Sequence, residues 1–149
     1  MMNLGYACIN TTLANKIPKI TTNRGMIKKT FLEKGLEYAG YLSYLNVSDL
    51  LLVLRWNVEN NIRFFRVSSD IFPWATHYEI KMLPQYFKIK EKLDEIGSYV
   101  KSNSIRLTFH PGPFNVLTSP KDSVVENTIK DLEMHGTISD MLGLSLTPF

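Results

Sequence analysis

The sequence predicts an α/β fold, with a parallel sheet and helices outside it. Short runs rich in apolar, β-branched and aromatic residues, at 4–9, 62–67 and 105–109, alternate with segments of helical period. Each run is followed by a loop and then a helical pattern, an order that implies right-handed crossovers and parallel strand pairing. Open parallel sheets place ligand chemistry outside the carboxyl ends of their strands. The loops after Ile9, Val67 and Phe109 are therefore expected on one face.

Taken in order, residues 4–9 read as a buried strand, with Cys8 as a small hydrophobe within it. Residues 10–25 are rich in Thr and Asn and have no helical period, so they read as a long loop. A helix is expected over about 26–44, with Phe31, Leu36, Ala39 and Leu42 on an imperfect apolar face. Asn46, three residues before Asp49, resembles the N-cap of a second helix that stops at Asn60-Asn61. After the strand at 62–67, residues 68–76 form a loop that carries Pro73 and Trp74. Ile89, Leu93, Ile96 and Val100 fall on one face of an amphipathic helix. The strand at 105–109 runs into His110-Pro111-Gly112-Pro113. Ser123 and Glu126 fit a capping box that opens a last helix, reaching His135 or on to Leu142 and ended by Gly143. Pro148-Phe149 reads as a further helix-to-strand loop.

Composition narrows the function classes. The 149 residues are 44% hydrophobic and 21% charged, which excludes fibrous and wholly disordered chains. One cysteine cannot frame a disulfide-stapled secreted module. The longest apolar run, 50–54, is far too short to cross a bilayer, and the first ten residues lack the basic start of a signal peptide. A reducing, intracellular setting is expected, away from membranes. Seventeen basic residues against fourteen acidic ones give a net charge of +3, which permits an anionic partner.

Several residues have chemistry suited to a site. His110, at the end of a strand and before a rigid turn, suits a metal ligand, a general acid-base group or a rim histidine bonded to a carbonyl. His77 lies in the loop after the second strand, as a second candidate ligand or a surface residue. Asp70 suits a ligand or a local turn. Tyr6 and Asn10 flank the end of the first strand, where a tyrosine packs at a rim or stacks on a base. The basic loop from Lys16 to Lys29 suits phosphate contacts or a solvated surface. His135 is expected on the exposed side of the last helix. A P-loop, a dinucleotide fingerprint, a cysteine zinc pattern and a nucleophile elbow are all absent from the sequence.

Together, Leu4-Gly5-Tyr6-Ala7-Cys8-Ile9-Asn10, Thr21-Thr22-Asn23-Arg24, Arg55-Trp56-Asn57, Phe65-Arg66-Val67-Ser68-Ser69-Asp70, Phe72-Pro73-Trp74-Ala75-Thr76-His77 and His110-Pro111-Gly112 resemble the UV damage endonucleases. The resemblance extends over the whole chain but reaches only the amino-terminal half of the family's protein. It implies a partial (β/α)8 TIM barrel, about the first three βα units, with 1–149 the amino-terminal portion of a single endonuclease domain. It implies metal-dependent nicking of double-stranded DNA 5′ to ultraviolet photoproducts in excision repair. The implied cofactors are divalent metal ions, manganese being the usual assignment. By the same match His77 and His110 look like metal ligands, Tyr6 like a probe of the duplex at the lesion, and Asn10 like a neighbouring DNA contact. Pro113 departs from the family's Gln and offers no side-chain amide. Two histidines do not make a multi-metal cluster, so the chain alone is expected to nick little or not at all. The alternatives are a residual DNA-binding fragment or another metal-dependent TIM-barrel enzyme, such as an apurinic-site endonuclease or sugar isomerase.

Overall fold

The computed structural model describes residues 4–144. Three strands, β1 (Gly5–Ala7), β2 (Phe64–Ser68) and β3 (Arg106–His110), form a parallel sheet in the order β1-β2-β3. The helices are α1 (Thr11–Ala14), α2 (Lys28–Glu59), α3 (Tyr86–Ser102) and α4 (Asp122–Met141), and three short 3-10 turns lie between β2 and α3. Each expected strand is present, and β3 runs one residue further than expected, so that His110 closes it.

Register sorts the strand residues onto two faces, because paired positions in parallel strands share a face. Tyr6, Phe65 and Leu107 are in register, as are Val67 and Phe109, and this face meets the helices. Phe65 and Val67 are fully buried there, with Leu50, Leu54, Ile89, Leu93, Ile96 and Ile138 around them. The opposite face carries Gly5-Phe64-Arg106, Ala7-Arg66-Thr108 and Ser68-His110 as cross-strand rows. A Cβ on Gly5 would collide with the Phe64 ring, so glycine lets that ring close over β1. The Arg106 guanidinium stands 5.4 Å from the centre of the same ring.

The expected pair of helices between 26 and 60 is one element, α2, broken at Gly35 rather than at Asn46. Gly35 has φ +58° and ψ −152°, a backbone step that only glycine takes without strain. Asn46 lies mid-helix, wholly buried, and its amide serves neighbouring segments instead of capping its own helix. The stop at Asn60-Asn61 is present, with Asn60 as C-cap and Asn61 at φ +60°. The expected loop at 10–25 contains α1, capped by the Asn10 side chain on the Leu13 N–H at 2.9 Å.

The capping box at Ser123 and Glu126 is not formed: α4 begins at Asp122, and its N-cap, Lys121, has its N–H bonded to the Ser119 hydroxyl. The helix runs past His135 to Met141, and Gly143 follows at φ +61°. His135 is the clearest correction to the sequence reading. It is 5% exposed, its ring packed 5.2 Å from Phe109, because α4 turns Met134, His135 and Ile138 inward. Cys8 lies just past β1 at φ +63°, partly exposed, with its N–H bonded to the Arg66 carbonyl, and burial pushes its thiol pKa up. The reading of Pro148-Phe149 lies outside the described residues. Among the described residues, no helix is long and apolar enough to cross a membrane.

Candidate active site at the strand ends

Parallel pairing brings the loops after β1, β2 and β3 out at one end of the sheet. At the end of β1, the Tyr6 hydroxyl donates to Asn57 Oδ1 at 2.6 Å and accepts from Asn10 Nδ2 at 2.7 Å. The phenol ring stands edge-on to Phe65, 5.1 Å between centres. Burial raises the Tyr6 pKa against the two side-chain hydrogen bonds, so the phenol stays protonated and able to donate. Asn57 is itself fully buried on α2, and its amide nitrogen has no partner among the described residues.

The first two loops are joined by one amide. Asn46 Oδ1 accepts from the Arg24 N–H at 2.9 Å, while Nδ2 reaches the carbonyls of Arg24 (3.0 Å), Asp70 (3.2 Å) and Ile71 (3.2 Å). The Arg24 guanidinium adds an ion pair to Asp49 at 2.7 Å and bonds to the carbonyls of Thr21 and Lys19. Arg24 and Asn46 were not singled out by the sequence reading as a pair. The available signal was a run of polar residues, Asn46 and Asn57, on the helix face that also carries Leu50, Val53 and Leu54.

In the second loop, Ser68 Oγ accepts from the Asp70 N–H at 3.2 Å, which holds the 3-10 turn after β2 and leaves the Asp70 side chain exposed. His77 ends the next turn. Its Nδ1 lies 3.1 Å from Thr76 Oγ1, and its ring meets Trp74 edge-on at 5.2 Å and Phe31 at 6.0 Å. Phe31 stacks on Trp74 at 5.5 Å, and Trp74 Nε1 donates to the Met26 carbonyl. His77 thus rests on an aromatic platform built from α2 and the loop.

His110 is exposed at the end of β3, opposite Ser68. The chain beyond it is tied to α4, where Asn115 Nδ2 donates to Asp131 Oδ2 at 2.5 Å and the Val116 N–H donates to Thr128 Oγ1 at 2.9 Å. A cleft of about 410 Å³ separates the second loop, at Asp70, Trp74 and Thr76, from the third, at Gly112, Phe114 and Asn115. A larger cavity of about 660 Å³ lies between the same segment and α4, lined by Tyr78, Met82, Tyr86 and Met134, and it is bordered by none of Tyr6, Asn10, Asp70, His77 and His110. The structure therefore joins Tyr6 to Asn10 directly and sets His110 beside the turn that holds Asp70. The two imidazoles of His77 and His110 share no contact, and no three of His, Cys, Asp or Glu converge among the described residues.

The sequence matches the model of the family described as UV-endonuclease UvdE over residues 2–148. The chain belongs to the UvdE family. Relatives agree with that membership: a UV DNA damage endonuclease of Clostridium perfringens is 38% identical over 142 residues, covering 95% of this chain and 32% of the relative. A UV-damage endonuclease of Schizosaccharomyces pombe is 35% identical, covering 95% of this chain and 23% of the relative. The crystal structure of SacUVDE superposes with a TM-score of 0.82 at 30% identity, over 96% of this chain and 46% of that one. The UvdE chain described here thus spans a third or less of these two relatives and under half of SacUVDE. Its three βα units have the architecture of a partial TIM barrel.

Proposed function

We propose that this chain supplies the first three βα units of a metal-dependent endonuclease that nicks DNA 5′ to ultraviolet photoproducts in excision repair. One observation carries the reading: His110, closing β3, stands in register with Ser68, whose hydroxyl sets the turn bearing Asp70, in a chain of the UvdE family. The Tyr6–Asn10 loop leaves the same end of the sheet. The substrate is double-stranded DNA, in an intracellular setting.

In this reading His77 and His110 hold a divalent metal, manganese by family expectation. Their chemistry fits part of such a site, since both imidazoles are exposed. Thr76 engages His77 Nδ1, which fixes the ring and leaves Nε2 for the ion. Manganese wants about six donors, so further ligands must come from outside these two residues. The ion, when bound, polarises phosphoryl oxygens and makes a hydroxide available near neutral pH.

The chain's own residues set the shape of the DNA-facing end. Asn10 fixes the start of α1, and Tyr6 fixes Asn10. Direct contact of Tyr6 with a base requires its hydroxyl to release Asn57. A photoproduct that weakens stacking lowers the cost of exposing the damaged bases, which favours lesions over intact duplex.

The test is a chimera in which this chain replaces the matching segment of the Clostridium perfringens relative. The expected result is manganese-dependent nicking of irradiated duplex, sparing unirradiated duplex, and its loss in His77→Ala and His110→Ala. A folded chimera that nicks neither substrate overturns the reading. The 149 residues alone are expected to nick little, and lesion-specific nicking by them would overturn that part.

A further inference from the structure

We propose that the loop tip Lys16-Ile17-Pro18-Lys19 is a wedge that enters a groove of duplex DNA beside the strand-end face. The proposal rests on the DNA-directed reading above and assigns that reading a contact outside the metal ligands and outside Tyr6 and Asn10.

Ile17 is 100% exposed, the most exposed large hydrophobic side chain among the described residues. A single exposed apolar residue is ordinary on protein surfaces, so exposure alone decides nothing. Its setting decides. Lys16 and Lys19 flank it, both exposed and without an ion-pair partner among the described residues. The first thirty-two residues hold Lys16, Lys19, Arg24, Lys28 and Lys29 and no carboxylate. Arg24 is taken up by Asp49, and Lys29 faces Glu33 at 3.9 Å across open surface. The charge left around the tip is therefore positive and available to phosphates.

The loop beneath the tip is held in shape. The Leu13 carbonyl accepts from the N–H groups of Lys16 (3.1 Å) and Ile20 (3.3 Å), pinching the base of the loop, and Leu13 is buried in the core. Arg24 bonds to the Lys19 carbonyl at 2.9 Å, the Thr21 N–H bonds to Asp49 at 2.9 Å, and the Thr22 hydroxyl reaches the Cys8 carbonyl at 3.2 Å. Asn46 ties Arg24 to the loop that carries Asp70. An apolar side chain held proud on a braced loop and flanked by cations has the chemistry of a groove wedge. The cations hold the phosphates, and the side chain enters and partly unstacks a base step. Bracing the loop beforehand lowers the ordering cost of binding. A lipid surface would also accept an apolar tip between two lysines. Duplex DNA is favoured because the tip belongs to the loop after β1, on the face with His110 and Asp70.

The test uses the 149-residue chain, a short duplex carrying 2-aminopurine, and anisotropy with aminopurine emission as readouts. The wild type is expected to bind and to raise the emission. Ile17→Gln is expected to lose that rise and to weaken binding about tenfold, with Ile17→Leu restoring both. The double variant Lys16→Ala/Lys19→Ala is expected to lower the slope of log affinity against log salt by about two. Ile17 touches nothing in the fold, so unchanged thermal unfolding is expected of its variants. If Ile17→Gln equals wild type in affinity and emission, the wedge is overturned while duplex binding by the chain stands. A wild type without duplex affinity overturns the wedge together with DNA binding by this chain. Preference of the wild type for phosphatidylserine vesicles over duplex overturns it in favour of a lipid surface.

Discussion

Tyr6 and Asn57 lie 51 positions apart in sequence, and the phenol of one donates to the amide oxygen of the other at 2.6 Å. The bond crosses from β1 to the buried face of α2 and fixes the strand end from beneath. Tyr6→Phe keeps the ring against Phe65 and removes only the hydroxyl. It leaves a buried amide without partners on either of its polar atoms, since Asn57 Nδ2 already has none among the described residues. The expected cost is about 1–3 kcal/mol in urea unfolding, with faster amide exchange at Leu13, whose cap loses its anchor.

Asn46→Asp tests the junction between the first two loops. A carboxylate in place of Nδ2 would face the carbonyls of Arg24, Asp70 and Ile71 with no proton to offer. Loss of a buried network of this size is expected to cost about 3 kcal/mol or more. Hydrogen exchange is expected to rise together in segments 19–25 and 69–72, and protection unchanged in either segment would refute the coupling.

His135 gives stability a pH dependence. Burial holds its pKa below the ordinary histidine value, with Asp131, 3.7 Å away, pulling the other way. The folded imidazole stays neutral where the unfolded one takes up a proton. Stability is therefore full above the unfolded pKa of about 6.5 and falls as the pH drops below it, until the folded group protonates. His135→Phe is expected to flatten the midpoint of chemical unfolding between pH 7 and pH 5. An unchanged slope would assign the acid sensitivity elsewhere.

Asp131→Ala removes the acceptor of Asn115 Nδ2 and the carboxylate facing His135. A charge-assisted bond of this kind is worth about 1.5–3 kcal/mol, and the loss is expected as faster proteolysis at 111–117. Without the carboxylate, the His135 pKa is expected to fall further, measurable by the imidazole proton shifts.

The three strands and α3 were legible because each has a single environment. Val67 and Phe65 are wholly buried in the core, and the Ile89, Leu93, Ile96, Val100 stripe is buried with them. The errors fell where a polar side chain serves another segment. Asn46 has the composition of a helix start, but its partners are Arg24 and the loop after β2, which no local pattern reveals. His135 is a polar residue with no local pattern to mark it as core, and the packing of α4 against Phe109 of β3 buries it. At the candidate site, His110 and Asp70 share the strand-end face as alternation implied, whereas the aromatic bed under His77 depends on Phe31, far away in the chain.

Phe31 precedes the backbone reversal at Gly35, and the rest of α2 follows it. The bend therefore acts as a fixed elbow. The long arm, packed in the core, sets the direction from which the short arm presents Phe31 to Trp74 and His77. The bearing of the exposed His77 ring is thus tuned by an angle four residues beyond Phe31, its own ring partner. Sequence drift at the elbow would re-aim the His77 ring while leaving every residue around it unchanged.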